Sequence, residues 1–99
     1  MTVLLSKRAQ QAIARIDDRW RRHAMHPDVF FDELQVAIER LGATRPPDPG
    51  TPCAMGARVH LRRYLLERSR YHVYFEIDEH AQIVRVLTVW SAQRPLPTL

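Results

Sequence analysis

Cysteine, lysine and glycine are all scarce in this chain of 99 residues, which has one cysteine, one lysine and three glycines. The single thiol, Cys53, excludes an internal disulfide, and usage this sparse suits a reducing cytosol. No apolar run approaches the ~20 residues of a membrane span. The amino-terminal stretch MTVLLSKRAQQ places its charge after a very short apolar run, whereas a secretory leader has the reverse order and a longer apolar core. A glycine-rich phosphate loop is missing, as are internal repeats and low-complexity tracts. We expect a cytoplasmic protein of one domain, residues 1–99, with no membrane partner. A chain of this length can bury a modest core without disulfide or metal.

The scarcity of lysine leaves arginine to carry the positive charge. Fourteen of the fifteen basic residues are arginine, and against eleven acids they give a formal net charge of +4. The first fifty residues hold eight basic and seven acidic groups. The remaining forty-nine hold seven and four, and five of those seven bases lie between Arg58 and Arg70. The excess is therefore local. Such a patch implies an acidic partner: nucleic acid, an acidic protein segment, or both.

The stretch that organises the rest is Arg68–Trp90, RSRYHVYFEIDEHAQIVRVLTVW, which reads as a β-hairpin. Tyr71, Val73, Phe75 and Ile77 alternate with His72, Tyr74, Glu76 and Asp78, the period of a strand with one buried face. After a polar turn at Asp78–Gln82, Ile83–Trp90 is nearly continuous apolar sequence, which suggests a strand inside a sheet. Upstream, Thr2–Leu5 is a candidate short strand. Ser6 is placed to cap a helix from Lys7 to about His23, with Ala9, Ala12, Ile13, Ile16 and Trp20 on one face. Asp17 to Arg21 and Asp18 to Arg22 are favourable i,i+4 pairs. Pro27 and Asp28 restart a second helix with Phe30, Leu34, Ala37, Ile38 and Leu41 in one stripe, and Gly42 ends it.

Four prolines between Ala43 and Ala57 exclude regular structure there. The strand signal returns from Arg58, and the tail Ser91–Leu99 leaves the sheet carrying few apolar side chains. The result is an α+β fold of order β-α-α-β-β-β, a helical hairpin packed on one face of a small antiparallel sheet. The opposite face is expected to be partly open, with His72, Tyr74 and several arginines on it.

Taken together, FFDELQVAIERL, a proline-rich connector, RRYLLERSRYHVYFEID and VRVLTVWSAQR resemble the RelE/ParE superfamily, the toxins of bacterial type II toxin–antitoxin systems. The resemblance covers nearly the whole chain, and Arg70–Phe75 and Val84–Trp90 are its most specific strings. The motifs are nearer to ParE-like members. That likeness implies a toxin that binds DNA gyrase and is neutralised by a cognate acidic antitoxin. The alternative is a RelE-like ribosome-dependent endonuclease acting on messenger RNA. RelE-type enzymes resemble one another in a tyrosine or histidine near the carboxyl terminus, whereas Ser91, Ala92, Gln93 and Arg94 supply neither.

The residues nominated for target or partner binding are Arg58, Arg62, Arg63, Arg68, Arg70, Tyr74, Trp90 and Arg94. Arg62, Arg63, Arg68 and Arg70 are expected to form one positive patch. RNA cleavage would need a base, an acid and cations around the phosphate, and Arg62, Arg70, His72 and Arg85 are the candidates for those roles. The competing interpretation is a solvated face whose arginine stems cover apolar neighbours. No cofactor is expected. No metal is either, since His23 and His26 flank a helix break without a ligand set.

Overall fold

Ser6 decides where the first helix begins and what it is fastened to. In the computed structural model, which describes residues 1–43 and 50–99, β1 (Thr2–Leu5) runs into α1 (Lys7–His23). The Ala9 N–H donates to Ser6 Oγ at 3.0 Å, the expected cap, and the same hydroxyl donates to the Leu87 carbonyl at 2.8 Å. One side chain thus satisfies an orphan helix donor and joins helix to sheet. The two i,i+4 pairs form as expected, Asp17–Arg21 at 2.9 Å and Asp18–Arg22 at 3.1 Å.

The second helix, α2 (Val29–Leu41), buries Phe30, Leu34, Ala37 and Leu41, which are the spaced apolar positions of its stripe. Gly42 ends it with ordinary right-handed backbone, so its value there is not conformational freedom. A Cβ at Gly42 would lie 3.4 Å from the Met1 carbonyl oxygen. Its own carbonyl accepts the amino-terminal ammonium at 2.8 Å. The small residue lets the start of the chain close against the end of α2.

The remaining strands are β2 (Thr51–Pro52), β3 (Arg62–Leu66), β4 (Tyr71–Asp78) and β5 (Ile83–Ser91), and the sheet order is β1-β5-β4-β3-β2. The expected hairpin is β4–β5, and β5 lies inside the sheet, between β1 and β4. Three features depart from expectation. First, β1 pairs parallel to β5 while the other pairs are antiparallel, giving a mixed sheet. Parallel neighbours need a long crossover, which the rest of the chain supplies. Second, Thr51–Pro52 forms an edge strand inside the proline-rich connector. An edge tolerates proline because the missing N–H would face away from the ladder. Residues 44–49 of that connector lie outside the described residues. Third, Arg58–Leu61 is a turn, and the strand begins only at Arg62.

The β4–β5 register shifts between Tyr74 and Phe75: Tyr74 pairs with Thr88 and Phe75 with Val86, leaving Leu87 as an extra residue in β5. This bulge lets Val84, Val86 and Val89 all face the helices, although strict alternation would turn one of them away. They join Val73, Phe75, Leu66, Phe30, Leu34 and others in the buried core. Phe30 meets Tyr71 edge-on at 5.2 Å between ring centroids.

The opposite face is not open at its centre. Leu61 is 0% exposed, and Tyr74 and Thr88 are 1% exposed, outside the helix-side cluster. The loop before β3 folds back through the Cys53 N–H to Leu61 carbonyl bond (2.8 Å). Arg58 holds it to Glu76 at 2.8 Å. Arginine stems alone do not cover this face; a second small apolar layer does.

Glu33 of α2 clamps the β3–β4 turn. Its two carboxylate oxygens accept the Arg68 and Ser69 backbone N–H groups at 2.8 and 2.7 Å. Arg70 closes the turn with φ of 65°, a left-handed conformation uncommon for a residue with a side chain. The tail is also tied down, contrary to expectation. The Trp90 indole N–H donates to the Pro95 carbonyl at 2.7 Å, Arg8 donates to the Thr98 carbonyl at 2.8 Å, and Pro97 is buried.

Two outcomes follow in urea unfolding. Glu33→Gln turns one acceptor into a donor facing an N–H, and stability should fall by about 1–3 kcal/mol with an unchanged m-value. Deleting Pro95–Leu99 removes two hydrogen bonds and one buried ring, and should cost about 1–2 kcal/mol. An unchanged midpoint in the truncated chain would show that the docked tail contributes nothing.

Candidate binding surface

Alternation along β3 sorts the arginines that the sequence groups together. Arg62, Tyr64 and Leu66 share the helix side with Phe75, Val73 and Tyr71; Arg63 and Leu65 share the far side with Tyr74 and His72. Arg62 and Arg63 therefore point to opposite faces, and the four-arginine patch is not continuous. Arg62 donates to the Gly50 carbonyl at 3.1 Å, while its Nε is buried with no partner among the described residues. Gly50 is required for this approach. Its φ is +81°, and a Cβ there would lie 2.3 Å from the Arg63 carbonyl oxygen.

The nominated residues divide into three groups. Arg63, Arg68 and His72, with Asp32, Glu33 and Glu67 beside them, line a shallow cleft that wraps around β3 from the far face of the sheet to α2, and Arg70 lies close enough to act on the His72 charge. Arg40, not nominated from the sequence, also lines this cleft and donates to Tyr64 Oη at 3.1 Å. Arg62 and Arg85 line a second cleft together with Glu76, Asp78 and Glu79, whose acids offset the arginine charge, and Arg58 is paired to Glu76 beside it. Arg94 stands apart at the sheet's end, with its Cζ 4.2 Å from the Trp90 ring centroid. Tyr74 is buried, so its ring is closed to a partner; it packs edge-on to His72, with centroids 6.0 Å apart.

The four residues nominated for RNA cleavage do not converge on one point: Arg62 and Arg85 line one cleft, and Arg70 neighbours His72 elsewhere. Arg62 and His72 lie on opposite faces. Arg85 pairs with Glu76, four residues along β4 from His72, about 13 Å at the ~3.3 Å rise of a strand. A base, an acid and a cation would have to converge on one phosphate.

Sequence reasoning missed two features. One is the clamp by Glu33, which read as a helix-start charge. The other is an apolar cleft between the helices, lined by Leu5, Ile13, Phe31, Leu34 and Ile38 with Gln35 and Glu39 at its rim. The doublet Phe30-Phe31 carried a signal for it. One phenylalanine of a helical pair can enter the core, leaving its neighbour displaced around the helix.

Burial holds the His72 imidazole below its ordinary value of 6.5, and the charges of Arg63 and Arg70 lower it further. The unfolded chain therefore takes up a proton here at a higher pH than the folded chain does. Stability is undiminished above 6.5 and falls as the pH drops through that value toward the lower folded one. The urea midpoint should decline more between about pH 7.5 and 5.5 in the wild type than in His72→Gln. Equal declines would show that His72 does not carry the effect.

Comparison with known proteins places this arrangement. The family described as "ParE toxin of type II toxin-antitoxin system, parDE" matches residues 3–96. No curated protein matches the chain. Among solved structures, the chromosomal ParDE system of P. aeruginosa superposes with a TM-score of 0.73 at 14% identity, over 94% of this chain and 97% of that one. The isolated RelE toxin of E. coli gives 0.62 at 15% identity, over 95% and 86%. The RelBE2 toxin–antitoxin complex of Mycobacterium tuberculosis gives 0.63 at 18% identity, over 93% and 92%. These structures share the fold of two helices on a sheet. The family match extends over nearly every element described above, and the chain belongs to the ParE toxins of type II toxin–antitoxin systems.

Proposed function

We infer that this toxin acts by binding, that a cognate acidic antitoxin silences it, and that DNA gyrase is its target. The observation that carries the antitoxin reading is the adjacency of two surfaces on α2. An apolar cleft opens on one side of the helix, and the Arg63–Arg68–His72 cleft lies on the other. Val36, 47% exposed, lines the arginine cleft, and Leu4 on the far side of β1 is 43% exposed. An amphipathic helix would seat its apolar face between α1 and α2, and its acids would meet the arginines. A segment that folds on contact covers such a surface and is still removable by proteolysis. The edge strand β1 offers a row of backbone groups to an added strand.

Membership of the ParE family supports the gyrase target, and so do the scattered cleavage candidates and the absence of tyrosine or histidine in Ser91–Arg94. His72, its charged form disfavoured by burial and its ring packed on Tyr74, serves here as a partner contact and not as a catalyst. The competing reading is messenger-RNA cleavage at the ribosome. Expression without the antitoxin separates the two. Gyrase poisoning gives cleaved plasmid and an SOS response, whereas an interferase gives arrested translation with cut transcripts and intact DNA.

Charge reversal at Arg63 and Arg68 should slow antitoxin association by about tenfold at low salt, with the difference shrinking as salt is raised. Stopped-flow mixing with the product of the neighbouring reading frame measures this. If the neighbour neither binds nor restores growth, the pairing at this locus is wrong. An unchanged rate at all salt concentrations makes the arginine cleft a solvated surface only.

A further inference from the structure

We propose that the cleft between α1 and the carboxyl-terminal tail is a phosphate-binding site for a nucleic-acid strand. The site is separate from the antitoxin surfaces and does not depend on the identity of the toxin's target. Three guanidinium groups line it: Arg15 and Arg19 from α1 and Arg94 from the tail, beside Tyr71, Trp90 and Ser91. Arg15 and Arg19 are one helical turn apart and so lie on one side of the helix. No carboxylate lines the cleft.

The contrast with neighbouring arginines is informative. Arg21 and Arg22 on the same helix are each ion-paired to an aspartate. Arg58 is paired to Glu76. Arg15, Arg19 and Arg94 have no ion pair among the described residues. Like charges gathered without a counter-charge repel one another, and an anion seated among them relieves that repulsion. The tail positions the third charge in advance. The Trp90 indole N–H is committed to the Pro95 carbonyl at 2.7 Å, and the Arg94 Cζ sits over the same ring, 4.2 Å from its centroid. Farther along, Arg8 holds the Thr98 carbonyl at 2.8 Å. Little ordering is left for the ligand to impose.

The chemistry of the lining selects the ligand class. Guanidinium forks match the oxygens of phosphate, which several can share at once. The Arg94 guanidinium, carried over the partly exposed Trp90 ring, is a cationic plane on which a base adjoining that phosphate can stack. A bare carboxylate would use the charges and leave that stacking plane unused. Duplex DNA keeps its bases stacked inside, so the match is to a single strand or a flipped end.

The test is an amide and indole NMR titration of the full-length toxin with three probes: inorganic phosphate, a short single-stranded oligonucleotide, and an acidic peptide of equal charge. The Trp90 indole and the amides of Ser91–Arg94 should shift with both phosphate probes, and the oligonucleotide should bind more tightly than the peptide. Arg15→Gln with Arg19→Gln should weaken oligonucleotide binding by about tenfold or more. The salt slope should become shallower by about 0.7 for each phosphate that the variant no longer neutralises. Lys7→Gln, an equal change of charge for each site and outside every cleft described above, should leave affinity within about twofold. Dispersion of the variant spectra shows that they fold. Shifts with inorganic phosphate and none with the oligonucleotide would retain the phosphate site but assign it to a small phosphate ester, overturning the strand. Peptide binding as tight as the oligonucleotide would make the cleft an acidic-protein site. Either that result or undiminished binding in the double variant overturns the proposal.

Discussion

Leu87 is the residue on which both faces of the sheet depend. As the extra residue of the central strand, it breaks the alternation of β5. Everything before it in the strand faces as the pleat dictates, and everything after it is turned over. Val84, Val86 and Val89 enter the helix-side core together, while Thr88 is opposite Tyr74 on the far side. The Leu87 carbonyl also takes the Ser6 hydroxyl, so the start of α1 is fixed to the point where the strand changes phase. A flat strand without the bulge would send Val89 outward and Thr88 into the core, with its hydroxyl unsatisfied among apolar atoms.

Charge on this molecule is organised by strand parity and by loops returning to the sheet. Adjacent arginines at 62 and 63 serve different surfaces because strand side chains alternate. Arg62 supports the Gly50 backbone, and Arg63, from the far face, lines the cleft that wraps around β3 toward α2. Arg58 is committed to Glu76, where it holds the loop over the buried Tyr74. What remains for a partner is smaller than the sequence total implies, and it is divided between two ends of the sheet. The turn at Arg68–Arg70 is held by a carboxylate of α2. A partner that shifts this helix therefore bears mechanically on the arginine cleft.

For the ParE family reading, this division has a physical consequence. A partner seated in the apolar cleft between the helices would reach the arginines at the hairpin turn through α2, and the tail and Trp90 would lie beyond it. Arg62, Arg70, His72 and Arg85 lie on different faces and at different strand positions. Recognition tolerates distributed contacts, whereas general acid–base chemistry requires groups within hydrogen-bond reach of the same atoms.

Local patterns determined much of this protein without tertiary information. The helix over Lys7–His23, its Ser6 cap, the stripe Phe30–Leu41 and the hairpin from Tyr71 to about Trp90 all rest on periodicity and capping between residues close in the chain. The family strings at Arg70–Phe75 and Val84–Trp90 were equally legible. Tertiary structure alone decided the parallel pairing of β1, the edge strand at Thr51–Pro52, the burial of Tyr74, the separation of Arg62 from Arg63, and the docking of the tail. The clamp of Glu33 on Arg68 and Ser69 joins residues 35 and 36 positions apart. The convergence of Arg15 and Arg19 on Arg94 spans most of the chain. Composition and periodicity record which side chains a segment offers to each face of itself. Which distant backbone or side chain meets that face is set by packing, by the one-residue slip at Leu87, and by where a returning loop satisfies its polar groups.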